Sequence, residues 1–66
     1  MNIVYIDGPD ETEDGVIEYR ATATNEDTGR ELISVSCPSR NSAWQAAWQL
    51  SDKYHAVEVV DDSTPY

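Results

Sequence analysis

Basic residues are scarce in this 66-residue chain. Arg20, Arg30, Arg40 and Lys53 stand against 13 Asp and Glu, for a formal charge of −9. Four dispersed cations cannot neutralise a row of phosphates, which excludes direct binding to DNA, RNA or an anionic membrane surface through a basic face. Cysteine is scarcer still. Cys37 has no partner for an internal disulfide, so the fold is not a stapled secreted module and a reducing cytoplasm is the expected compartment. No apolar run approaches about 18 residues, so no membrane-spanning helix is expected. The opening MNIVYIDGPD has neither a positive start nor a long apolar segment, so no signal peptide is expected either. A cytoplasmic protein of a bacterial or archaeal host, or of something infecting one, fits these absences. Length is short as well. A chain of this size can hardly build both a core and a walled pocket, which argues for a binding role over catalysis.

What is present is enough for one domain over residues 1–66. The hydrophobic fraction is 39%, but the apolar residues are grouped and they alternate, the signature of a folded chain and not of an acidic disordered one. Stability is expected to be modest, because at this size folding buries only about 60% of the unfolded chain's surface. The chain is expected to be a monomer or a homodimer.

Asn2 to Ile6 reads as a short strand, closed by the turn residues Asp7-Gly8-Pro9-Asp10. Val16 to Thr24 alternates, with Ile17, Tyr19, Ala21 and Ala23 on one face and Glu18, Arg20, Thr22 and Thr24 on the other. Asn25 to Gly29 suits a hairpin loop, and Arg30 to Cys37 is the partner strand, with Ile33, Val35 and Cys37 on one face. Pro38 stops it. Ser42-Ala43-Trp44-Gln45 reads as a capping box in which Ser42 caps and Gln45 reaches back. The helix runs to about Tyr54 or His55, with Ala43, Ala47, Leu50 and Tyr54 on its apolar stripe. Ala56 to Val60 is a last strand, and residues 61–66 read as a frayed tail. The expected fold is α+β: a small, mostly antiparallel sheet of three to four strands in β-β-β-α-β order, with one helix packed on one face. Strand order is open at this stage.

The acidic residues are clustered. Asp7, Asp10, Glu11, Glu13, Asp14 and Glu18 fall within twelve residues with no base among them; Glu26, Asp27 and Glu31 cluster at the hairpin, and Glu58, Asp61 and Asp62 lie near the end. Close exposed pairs repel at roughly 1 kcal/mol each in water, and a marginal domain would be more stable with fewer of them. Alternate strand residues lie about 6.8 Å apart on one face, roughly twice the 3.4 Å rise per DNA strand. Carboxylates on strands and adjoining loops can therefore approximate a row of phosphates and attract a Lys- and Arg-lined groove. The competing reading is a solvated or salt-adapted surface, which the three Arg to one Lys weakly suits.

Other chemistry is poorly supported. Asp10-x-Thr12-x-Asp14-Gly15 resembles the opening of a calcium loop with Glu18 at the ninth position, but the twelfth is Ala21 where a bidentate Glu is needed. Cys37 and His55 are too few ligands for zinc, and nothing in the sequence positions them as nucleophile and base. Gly8, Gly15 and Gly29 are too far apart for a phosphate loop or dinucleotide fingerprint. No catalytic residue, metal or cofactor is expected. Trp44 and Trp48, one helical turn apart, read either as core covering a thin sheet or, for at least one of them, as an exposed contact anchor. Tyr5 and Tyr66 carry the same alternatives.

Two resemblances follow from these residues. Gly15 to Tyr54, strand, hairpin, strand and then the helix SAWQAAWQLSDKY, looks like the latter part of a double-stranded-RNA-binding domain. The first helix of that domain is missing, and Pro38-Ser39-Arg40-Asn41-Ser42 holds one Arg where a basic cluster belongs, so RNA binding is not expected. In size, charge and fold class the whole chain resembles small acidic phage-encoded anti-CRISPR proteins, the type I inhibitors that act as DNA mimics. That resemblance implies a noncatalytic inhibitor whose partner is a basic nucleic-acid-binding protein, a CRISPR effector subunit, blocked where it receives target DNA. The expected contacts are Asp7, Asp10, Glu11, Glu13, Asp14, Glu18, Glu26, Asp27 and Glu31, with Trp44 and Trp48 as aromatic anchors. An antitoxin-like or accessory module binding through the helix and its Trp pair is the alternative, and a salt-adapted domain with no mimicry role is a third reading.

Overall fold

The structure, a computed structural model, describes residues 1–64. Pro65 and Tyr66, and with them the question of Tyr66 as core or contact residue, lie outside the described residues. The elements are β1 (Asn2–Glu11), β2 (Ile17–Asn25), β3 (Arg30–Cys37), α1 (Arg40–Lys53) and β4 (Ala56–Asp61). They form a four-stranded sheet in the order β3-β2-β1-β4 with the helix on one face. β1–β2 and β2–β3 are antiparallel, and β1–β4 is parallel. The α+β expectation holds.

The parallel pair follows from the connection. β3 and β4 point the same way, so the chain must return between them, and α1 makes that return across the sheet. Its N-terminal end therefore meets the end of β4, where Arg40 reaches Asp61, and its C-terminal end meets the start of β1, where Asn2 Nδ2 donates to the Tyr54 carbonyl at 2.7 Å.

The core is where strand alternation and the helical stripe meet. Val4 and Ile6 of β1, Tyr19, Ala21 and Ala23 of β2 and Cys37 of β3 pack on Ala43, Ala47 and Leu50 of α1. Ala21, Ala23, Ala43 and Ala47 are all fully buried, so small residues on both layers let the helix lie close to the sheet. Val4 and Ile6 are the largest side chains with no exposure, each contributing about 1.5–3 kcal/mol by burial.

Several boundaries differ from the sequence reading. β1 does not stop at Ile6. It runs through Gly8 and Pro9 as an irregularity between the pairs Asp7↔Arg20 and Asp10↔Glu18. Pro9 has no N–H to give the ladder, which is why a strand accepts it only at such a place, and Gly8 supplies the φ of 128° the irregularity needs. β2 begins at Ile17, leaving Val16 exposed in the turn. The helix begins earlier than expected. Its cap is Ser39, not Ser42: Ser39 Oγ accepts from the Ser42 N–H at 3.1 Å, and the two hydroxyls lie 2.5 Å apart. The Ser-x-x-Ser spacing of 39 and 42 follows Pro38 directly, so the first available cap after the strand is taken and Gln45 is left on the exposed side. Residues 61–64 are not frayed. The Asp62 and Thr64 N–H groups donate to the carbonyls of Ile6 (2.8 Å) and Gly8 (3.0 Å), and Tyr19 Oη donates to the Thr64 carbonyl at 3.4 Å.

Candidate partner-binding face

α1 covers one side of the sheet, and among the described residues no helix or strand covers the other. Alternation from the core residues assigns its occupants. On β2 these are Glu18, Arg20, Thr22 and Thr24, opposite the inward Tyr19, Ala21 and Ala23. The β1 partners in register are Asp10, Asp7, Tyr5 and Ile3. On the outer edges, Glu31, Ser34 and Ser36 of β3 pair with Thr24, Thr22 and Arg20, while Glu58 and Val60 of β4 pair with Ile3 and Tyr5. Asp62 follows Asp61 onto the open side, its N–H held by Ile6.

Asp7, Asp10, Glu18, Glu26, Glu31, Glu58 and Asp62 thus share the open face, seven of the chain's 13 acidic residues, and Arg20 is the one base there among the described residues. Arg40 and Lys53 belong to the helix layer, and Arg30 stands at the first pair of the β2–β3 ladder. Arg20 faces Asp7 across the β1–β2 pair. The ion pairs among the described residues are elsewhere: the N-terminal amino group with Asp27, and Arg40 with Asp61. The carboxylates of the open face therefore stand outside both ion pairs.

The centre of this face is partly apolar. Ile3 is only 7% exposed although it is not part of the helix-side core, so something on the open side covers it. Tyr5 is the next residue of β1 on that side, paired with Thr22. Its hydroxyl donates to Glu26 Oε1, and Glu26 lies beyond Ile3, its N–H bonded to the Met1 carbonyl. Tyr5 and Glu26 stand on either side of the row that holds Ile3, Thr24, Glu31 and Glu58. The Tyr5 hydroxyl is pushed above its ordinary pKa, first by the hydrogen bond to Glu26, then by burial and by the charges of Glu26, Glu58 and Asp62. Thr22 and Ser34 add a hydroxyl pair at 3.1 Å.

The other sequence candidates scatter. Glu11 ends β1 opposite Ile17, and Glu13 and Asp14 sit in the turn closed by Gly15 N–H to Thr12 O (2.9 Å) and Thr12 N–H to Val16 O (2.9 Å), at one end of the sheet. Asp27 lies in the opposite turn, bound to the amino terminus. Trp44 and Trp48 are on the helix layer, away from the open face, with ring centroids 5.6 Å apart. Trp44 is half-buried against the core and its Nε1 donates to Asp61 Oδ2 at 3.0 Å, whereas Trp48 is 60% exposed. The acidic contacts and the Trp anchor therefore occupy opposite sides of the molecule. Glu58 and Asp62 join the face although neither stood among the sequence candidates, because only the parallel β1–β4 pairing brings them beside Ile3, Tyr5 and Asp7.

Cys37 is buried at the end of β3 and burial pushes its thiol pKa up. His55 is exposed just beyond the helix. Among the described residues no cluster of His, Cys, Asp and Glu is gathered as a metal site, and no helix is long and apolar enough to cross a membrane. No family model matches the chain, and neither a curated protein nor a solved structure is found to be similar to it.

Proposed function

We propose that the protein is a noncatalytic inhibitor that sets its open sheet face into the basic DNA-binding site of a partner and keeps target DNA out. The partner implied by the chain's resemblance to small acidic anti-CRISPR proteins is a CRISPR effector complex in the cytoplasm of a bacterial or archaeal host. The observation that carries this reading is the segregation of charge: among the described residues, seven carboxylates and one Arg share the open face, with the other bases outside it. Such a face steers a cationic groove toward it and holds register once docked. Scale agrees, since the longest extent of the molecule, 35 Å, is close to one turn of duplex, about 34–36 Å.

The test compares two triple charge reversals of equal net charge in a DNA-competition assay against a purified type I effector complex. Asp7→Lys, Asp10→Lys and Glu18→Lys together remove charge from the face; Glu13→Lys, Asp14→Lys and Asp52→Lys remove it elsewhere. The first is expected to weaken inhibition at least about tenfold at moderate salt, the second far less. Equal loss in both, or inhibition by neither the parent nor the variants, overturns the reading.

The exposed Trp48 favours a second reading, an accessory module that binds through the helix. Salt separates the two. Affinity through the acidic face falls steeply as ionic strength rises, whereas affinity through an apolar helix contact changes little.

A further inference from the structure

Trp48 is 60% exposed, and Trp44, one turn earlier, is half-buried beside it. The two indoles belong to a longer row. Residues four apart form a ridge along a helix, and the ridge through this pair runs from Arg40, the first residue of α1, to Asp52 near its end. Its order is cation, indole, indole, anion. Asp52 is exposed and joins neither ion pair found among the described residues. Arg40 is held by Ser63 through Nε and by Asp61 through Nη2, which leaves its Nη1 clear of both, and its side chain is 43% exposed. That order is complementary to itself. Turned about a two-fold axis midway between Trp44 and Trp48, the ridge lies antiparallel beside its own copy. Trp44 then meets Trp48 of the second copy, Arg40 meets its Asp52, and each contact is made twice. Parallel pairing in register would set Arg40 against Arg40 and Asp52 against Asp52. Ridges of this kind packed side by side are the commonest way helices meet in globular proteins.

We infer that the ridge of Arg40, Trp44, Trp48 and Asp52 is a homodimer interface, two antiparallel helices related by a two-fold axis between the Trp pairs. Charge selects the same surface. The chain carries −9, so two copies repel over most of their area. α1 holds Arg40 and Lys53 against Asp52 alone, which makes it the one element of net positive charge among the described residues. The exposed indole sits at the centre of the patch, with the charged pairs at its rim, the arrangement in which an aromatic anchor contributes most. Helix pairing leaves both open sheet faces uncovered, so the dimer stands or falls independently of what those faces bind.

The test is sedimentation equilibrium of the full chain at moderate salt, from about 5 μM to about 1 mM. The mass is expected to rise from 7.4 kDa toward twice that value and to stop there. Trp48→Ala and Asp52→Arg are each expected to weaken association at least about tenfold. Glu31→Arg, the same change of charge on the open side, does not weaken it. Register has its own test. Arg40→Glu and Asp52→Arg each set like charges together in their own homodimers, but mixed they restore both opposite pairs, and the mixture associates within about threefold of the parent. In the parent chain the indole Nε1–H resonance of Trp48 moves with concentration, whereas the amides of Thr22 and Ser34 on the open face do not. That readout needs no variant to fold, and with Asp52→Arg it decides the matter if Arg40→Glu unfolds. A mass that stays at 7.4 kDa up to about 1 mM, or one that climbs past the dimer, overturns the proposal, and the first of these leaves the helix to a different partner. Association that survives Trp48→Ala or Asp52→Arg, a mixture of folded variants no tighter than its components, or a Trp48 resonance that stays fixed likewise overturns it.

Discussion

Arg40 Nη2 donates to Asp61 Oδ2 at 2.6 Å, joining the first turn of the helix to the end of the parallel edge strand. The same carboxyl accepts from Trp44 Nε1 at 3.0 Å and from the backbone N–H and hydroxyl of Ser63. One side chain therefore fastens α1, β4 and the segment after it. Ser63 chiefly, with help from Arg40 and Trp44, holds the Asp61 carboxyl at about 2 against an ordinary 3.8, even though partial burial works in the other direction.

A depressed folded-state pKa means that the stability Asp61 contributes is complete above the ordinary value and is lost as pH falls from 3.8 toward about 2. Urea unfolding across that window should show a falling acid limb that flattens in Asp61→Asn. At neutral pH the same variant should lose about 1–2 kcal/mol, because the amide keeps the shape but not the charge-assisted bonds. An unchanged acid limb in Asp61→Asn would show that other groups govern it.

Salt should stabilise the fold. With a formal charge of −9 and a radius of gyration of 11.6 Å, the carboxylates of the open face repel within a screening length of about 30 Å at 0.01 M salt, which shrinks to about 3 Å at 1 M. A gain of about 1 kcal/mol is expected over that range, read as a melting temperature higher by about 4–8 °C. Complete loss of structure at low salt, seen by circular dichroism, would instead mark a salt-adapted domain.

Gly8→Ala should be among the more damaging single substitutions. A Cβ there would lie 2.9 Å from Cδ1 of Tyr19 and 3.1 Å from the Glu18 carbonyl, on a backbone with φ of 128°. Strain and overpacking together predict a loss of about 2–4 kcal/mol in chemical denaturation. Gly29→Ala, at φ of 71° with open space around it, should lose only about 1 kcal/mol.

His55→Gly should have the opposite sign. His55 follows the helix cap Tyr54 and takes φ of 53°, the left-handed position that glycine fills most easily. Relief of that conformation, less the extra freedom of the unfolded chain, predicts a gain of about 0.5–1 kcal/mol. The same measurement on His55→Ala should show no such gain.

The two Trp residues should separate. Trp44→Ala loses packing on the core and a bond to Asp61, and is expected to destabilise by about 2–3 kcal/mol. Trp48→Ala, at 60% exposure, should change stability by less than about 1 kcal/mol. Thermal unfolding of both variants checks this, and a partner lost by Trp48→Ala alone would favour the helix-side reading.

Much of this molecule is local and was therefore legible. The alternation from Ile17 to Thr24 and from Arg30 to Cys37 marks two strands and their inward faces, and the Ala43, Ala47, Leu50 stripe marks the buried side of the helix, because both periods are properties of the backbone. The clustering of Asp7, Asp10 and Glu18 was visible for the same reason. What misled was punctuation. Gly8-Pro9 reads as a turn, yet β1 carries the chain through it and pairs with β2 again at Asp10 and Glu11. Ser42 reads as a cap, yet Ser39 offers the same chemistry one turn sooner.

Amino-acid order alone settled the charge imbalance, the strand and helix periods and the apolar sides of each element, since these depend on neighbours a few residues apart. Only the folded arrangement decided that β4 lies parallel to β1, that Glu58 and Asp62 thereby flank Tyr5, and that Trp48 faces away from them. Those relations join residues some fifty positions apart, and their pairing energy is shared among the whole sheet and helix, so no short stretch of sequence encodes it.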